Sequence, residues 1–221
     1  MKNFVFISAA TFLLFGCGSM NNALVEKTKT IEYYRIFDIK TDMDRYSIAD
    51  AASNGLGRNV NDATETRPIP SSAELPEKPG RFALINPFAG SKLAALMAAS
   101  NGGLGTKVVS CEGAVWVAKA VREIAGQSKL NLDACLFEYK GGYHLDMYAV
   151  FTKKEGGLME LSRAAASAMV GTPEEWTEKT FLDVVKQIAK DGHTSISFIE
   201  GYPKVEGTPW LDNSDTIVSA P

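Results

Sequence analysis

The sequence predicts an α+β fold, an antiparallel sheet with packed helices. Two segments of alternating apolar and polar residues, Leu132 to Lys140 and Tyr143 to Thr152, flank Gly141-Gly142 and read as a hairpin with a two-residue loop. Thr172-Pro173-Glu174-Glu175 is a capping box with proline at the first helical position. It opens a helix to about Lys190 that carries Phe181, Val184, Val185 and Ile188 on one face. Segments rich in β-branched and aromatic residues, Ile31 to Lys40 and Thr194 to Ile199, supply further strands.

In chain order, residues 31–69 are expected to form a small strand–helix–strand unit. Its first strand holds Tyr33, Tyr34 and Phe37 as core. Asp42 and Asp44 offer a helix start before the Ala-rich stretch Ser47 to Ser53, and Asn54-Gly55 offers a left-handed helix end. Val60 to Ile69 returns as a strand. Pro70, Pro76 and Pro79 make residues 70–81 a linker. A main α+β domain is expected over residues 82–203. It starts with a strand at Phe82 to Asn86 and a helix from Ser91 to Ser100. The stretch Ala98-Ala99-Ser100-Asn101-Gly102-Gly103-Leu104-Gly105 repeats Ala51-Ala52-Ser53-Asn54-Gly55-Leu56-Gly57 with one added glycine. The repeat marks either two strand–helix–strand units in the N-terminal half or two similar helix ends.

After a short strand at Val108-Val109, residues Glu112 to Ala125 carry Ala114, Val117, Ala118, Val121 and Ala125 at helical spacing, which predicts a helix headed by Cys111. In the hairpin, Leu132, Ala134 and Leu136 share a face with Leu145, Met147, Ala149 and Phe151. Asp133, Cys135, Phe137, Tyr139, His144, Asp146 and Tyr148 share the other. Leu158 to Val170 reads as another helix. Residues 204–221, rich in Pro, Gly and Asp, read as a loose tail.

The chain opens with one positive charge at Lys2 and an apolar run from Phe4 to Phe15, shorter than a bilayer span. The run ends Leu14-Phe15-Gly16-Cys17. This resembles the lipobox of bacterial lipoproteins, with Phe15 standing where a smaller residue is usual. The resemblance implies a signal peptide over residues 1–16, diacylglycerol on Cys17, acylation of the new amino terminus, and a lipidated tether over residues 17–30. Gly18 replaces the aspartate that retains such lipoproteins in an inner membrane, which implies the outer membrane, with the domain facing the periplasm.

The whole chain of 221 residues carries 23 Lys+Arg and 26 Asp+Glu. Removing residues 1–16 takes away only Lys2, leaving 22 basic against 26 acidic side chains and a net charge of −4. With no basic stripe, that argues against nucleic acid. Roughly 190 residues after the tether are enough for one sizeable core or two small ones.

Once Cys17 is lipidated, Cys111 and Cys135 remain, either as a disulfide or as two buried thiols. Cys111 heading a helix, with His144 opening a strand after a hairpin, resembles the transglutaminase-like thiol hydrolases over about forty residues. That resemblance implies a Cys111/His144 dyad acting on peptide or peptidoglycan amides. No aspartate follows on a third strand, Glu160 being a loose substitute, and Val109 replaces the usual glycine. No cofactor is expected. Two histidines, His144 and His193, without HExxH or paired CxxC, give no zinc site. Asp38, Asp42 and Asp44 lack calcium-loop spacing, and Gly102 to Lys107 runs in the reverse order of a phosphate-binding loop. The sequence therefore predicts a non-enzymatic envelope lipoprotein binding a protein or glycan, with exposed strand edges suited to strand addition; the thiol hydrolase is the alternative.

Overall fold

A computed structural model describes residues 26–69, 74–87, 89, 107–123, 129–157, 171–204 and 218–219. The chain divides into two compact units, residues 1–29 with 153–172, and residues 30–152 with 173–221. In the first, Lys154 and Glu26 form an ion pair at 2.8 Å. The sheet belongs to the second, with residues 27–29 and 153–155 of its strands falling in the first.

The elements are β1 (Lys27–Ile39), α1 (Arg45–Leu56), β2 (Ala63–Thr66), β3 (Ala83–Ile85), β4 (Val108–Ser110), β5 (Trp116–Glu123), β6 (Lys129–Tyr139), β7 (Gly142–Glu155), α2 (Pro173–Gly192), β8 (Ile196–Tyr202) and β9 (Val218–Ser219). A seven-stranded sheet runs β2-β5-β6-β7-β1-β8-β9, and β3 and β4 form a separate two-stranded ribbon. The pairs β2/β5, β5/β6, β6/β7 and β1/β8 are antiparallel. The fold is α+β.

Both helices among the described residues cover one face of the sheet. Alternation puts Trp116, Ala118 and Ala120 of β5, Leu130 to Leu136 at every second residue of β6, and Leu145, Met147, Ala149 and Phe151 of β7 into one core. Ile48, Ala52 and Leu56 of α1 and Phe181, Val184 and Ile188 of α2 pack there too. Asp44 caps α1 by accepting from the backbone N–H groups of Tyr46 and Ser47. The helix does not stop at Asn54-Gly55 but runs through Leu56. Gly55 serves the helix crossing instead: a Cβ there would lie 2.5 Å from Val184 Cα.

Within the segment expected as a helix from Glu112 to Ala125, residues 112–115 form a turn and Trp116–Glu123 is the strand β5; residues 124 and 125 lie outside the described residues. The helical stripe splits between the two faces of the strand: Trp116, Ala118 and Ala120 alternate into the core, Val117 and Val121 lie on the other face, and Trp116, Val117 and Val121 favour a pleated surface. Strands β2 and β6 flank it, with Ala118 opposite Ala134 and opposite Glu65. Trp116 Nε1 donates to Glu65 Oε2 at 3.0 Å beneath the sheet.

The hairpin loop is Lys140-Gly141 rather than Gly141-Gly142, because Tyr139 pairs with Gly142. This slides each partner by two residues. Since the side-chain period is also two, the faces stay as expected, and Leu136 lies opposite Leu145 rather than Met147. The three elements over residues 31–69 form, but β1 pairs with β8 and β2 with β5, so they belong to the large sheet and make no separate unit. The expected tail also contributes to the sheet, where Val218 and Ser219 pair in parallel with Ile196 and Ser197. The helices expected at residues 91–100 and 158–170 lie outside the described residues.

Candidate functional site

The face of the sheet away from the helices carries the chemistry. Alternation on β6 and β7 places Cys135, Phe137 and Tyr139 beside Asp146 and His144, with Cys135 opposite Asp146 and Phe137 opposite His144. A second apolar cluster of Val109, Ala114, Cys135, Phe137 and Tyr148, with Phe82 and Tyr34 against it, packs on this face. The ribbon of β3 and β4 is pinned to this face by a disulfide between Cys111 and Cys135, 24 residues apart. Closing such a loop contributes about 3 kcal/mol in the chain-entropy account.

Cys111 therefore holds no free thiol, and it does not head a helix. It begins a turn in which its carbonyl accepts from Ala114 N–H at 3.0 Å, with Gly113 at φ 83°. Neither the helix dipole nor a thiolate is available to a Cys111/His144 dyad.

His144 is not a surface residue. It is 8% exposed, and its ring meets Tyr139 edge-on at 5.9 Å. Its Nε2 lies 3.6 Å from Asp38 Oδ1, and its Nδ1 lies 4.0 Å from Asp146 Oδ1. Asp38 also accepts from Tyr139 OH at 2.6 Å and pairs with Lys40 at 3.0 Å, while Lys40 reaches the Tyr139 hydroxyl as well. Asp146 Oδ2 accepts from Phe82 N–H at 2.9 Å and faces Arg81 Nε at 3.5 Å. Arg81 in turn pairs with Glu200. His144 Nδ1 and Asp146 Oδ1 have no hydrogen-bond partner among the described residues.

Burial sets the ionisation here. It pushes the Asp146 carboxyl up to about 6, against the pull of Phe82 N–H and Arg81. Burial also holds the His144 imidazole below its ordinary value, with Asp38 opposing. The cluster can hold and move a proton, and among the described residues no free thiol joins it. Among the described residues, no group of three or more His, Cys, Asp or Glu side chains is placed to hold a metal.

A second site lies at the other end of the same unit. Arg58, Asn59, Val60, Asn61 and Asp62 after α1, Val121 and Arg122 of β5, and Trp176 in the first turn of α2 line a cleft of about 530 Å³. The Arg122 guanidinium sits over the Trp176 ring, 4.6 Å from its centroid. Arg58 donates to the Gln187 amide, and Gln187 donates to Asp191 at 2.7 Å. Asn59 donates to Asp183 at 2.7 Å and accepts from Lys179.

Cys17 and Glu160 lie outside the described residues. Of the expected site residues, Cys111 and Cys135 are joined, and His144 is brought to two carboxylates rather than to a thiol. Alternation already puts His144 and Asp146 on one face. Asp38, Arg81 and the whole Arg58/Arg122/Trp176 cleft come together from distant segments that no local spacing links. No known protein-family model matches the chain, and no curated protein matches it significantly.

Proposed function

We propose that this chain is an exported lipoprotein, anchored through Cys17 to the cell envelope, whose α+β domain binds an envelope component without catalysing a reaction. The observation that carries the reading is the segment Leu14-Phe15-Gly16-Cys17 behind a short apolar run with one leading cation. Two or more acyl chains give durable anchoring at about 0.8 kcal/mol per buried methylene. The Cys111–Cys135 disulfide supports an oxidising compartment such as a periplasm. It also removes the thiolate that a hydrolase of peptide amides needs, which favours binding over the Cys111/His144 enzyme. The absence of an aspartate at position 18 supports the outer membrane.

The test is membrane fractionation of cells expressing the natural chain or Cys17→Ala, with radiolabelled palmitate. The natural chain is expected in the outer-membrane fraction with label, and C17A in the soluble periplasm without it. Equal distribution of the two, with no label in either, would end the lipoprotein reading.

A further inference from the structure

The arginines divide into two groups. Arg35, Arg45, Arg67 and Arg81 each form an ion pair with a carboxylate, namely with Glu178, Glu138, Asp50 and Asp146. Among the described residues the two arginines in no ion pair are Arg58 and Arg122, and both line the same cleft. Each is held by a group with no net charge: Arg122 by the face of the Trp176 ring, Arg58 by the amide of Gln187. Such contacts fix a guanidinium without a direct ion pair; the Asp183 carboxylate acts on Arg58 through space and is itself shared with Asn59 and Lys179. Gln187 is itself buried and tied to Asp191, so Arg58 has a rigid support.

Two cations and one carboxylate, Asp62, thus face a cleft in a chain whose overall charge is −3. Its volume of about 530 Å³ falls within the roughly 300–1,000 Å³ of small-molecule sites. The wall is mostly polar, with the amides of Asn59 and Asn61 and one exposed apolar side chain, Val121. An apolar ligand gains little there. A ligand with hydroxyl or amide groups and one oxyanion matches the donors present, since a planar guanidinium pairs with two oxygens of a carboxylate or phosphate.

We propose that this cleft binds an acidic sugar, with its carboxylate or phosphate held by Arg58 and Arg122. The choice of a sugar rests on the envelope reading above, where acidic saccharides are the abundant small polar groups; the oxyanion rests on the cleft alone.

The test uses the full chain, purified in detergent, with binding followed by calorimetry and by tryptophan emission. The probes are N-acetylmuramic acid, which carries a carboxylate, N-acetylglucosamine 6-phosphate, and neutral N-acetylglucosamine. At least one acidic sugar is expected to bind about tenfold or more tightly than the neutral one, and the stronger of the two identifies the anion. Arg58→Gln and Arg122→Gln should each weaken that binding by about tenfold, the loss of one charge-assisted pair. Arg122→Lys, which keeps the charge and loses the fork, should fall between. Arg67→Gln, on an exposed pair outside the cleft, should leave it unchanged. Equal binding of acidic and neutral sugars, no binding of any, or indifference to R58Q and R122Q in variants with unchanged thermal unfolding overturns the proposal. None of these outcomes touches anchoring at Cys17, which fractionation reads separately.

Discussion

Asp146 and His144 sit side by side with opposite responses to pH. In the folded protein the Asp146 carboxyl ionises at about 6, against about 3.9 in an unfolded chain. Between those values the folded state keeps the proton and the unfolded state has lost it, so this group makes stability fall as pH rises from 4 to 6. His144 is held below its ordinary value. The stability tied to its neutral form is therefore complete above about pH 6.5 and is lost as pH falls below that value. Asp146→Asn separates the two. An amide at position 146 still accepts from Phe82 N–H and carries no charge to bury. The variant should be more stable than the natural chain at pH 7, by at most about 3 kcal/mol. It should retain only the His144 slope in urea unfolding measured from pH 4 to 8. Parallel curves for the two proteins would show that Asp146 is not the group responsible. At this scale the sequence was partly legible. Alternation along β7 sets His144 and Asp146 on one face, but their burial depends on Phe82, Arg81 and Asp38, which reach them only through folding.

At the scale of elements, α1 and α2 are in contact where Gly55 meets Val184 and Asp183. Gly55→Ala forces a methyl against main-chain atoms at 2.5 and 2.7 Å, which cannot swing away as a side-chain tip can. The expected cost is about 1–3 kcal/mol. Gly57, at φ −60°, gives a contrast, because a Cβ there meets nothing closer than Ser53 O at 3.4 Å. Gly57→Ala should be neutral or stabilising, by up to about 1 kcal/mol. Chemical unfolding of both variants checks the pair, and similar effects at the two positions would contradict the helix crossing. Hairpin β6–β7 and helix α2 were legible because their patterns are local: strict alternation around glycines, and a capping box before a 3.6-residue stripe. Strand β5 was misread for the same physical reason. Ala114, Val117, Ala118 and Val121 fit the helical period, whereas the strand buries Trp116, Ala118 and Ala120 and leaves Val121 exposed, and only the flanking strands β2 and β6, one of them some fifty residues earlier, decide between the two patterns. The repeat at Asn54-Gly55 misled in another way, since that glycine is there for close packing and not for a left-handed turn.

For the molecule as a whole, the α+β class followed from strands at both ends of the chain and a hairpin between them. The closure of β1 on β8 joins the two ends and absorbs the segment that seemed from its proline-rich boundary to stand apart. Sequence alone leaves Cys111 and Cys135 open between bonded and free thiols, because no local pattern tells whether Cys111 lies above Cys135. The site was less legible than the fold. The expected dyad dissolved when Cys111 proved bonded and off a helix, while the two unpaired arginines of the cleft lie 64 positions apart in sequence and carry no motif. The central claim, export and lipid anchoring, rests on residues 1–17 and is testable on one molecule. Intact mass of the natural chain extracted from membranes should show a protein that begins at Cys17 and carries the added mass of diacylglycerol and a further acyl chain. A mass that retains Met1 to Gly16, with no lipid on Cys17, would contradict it.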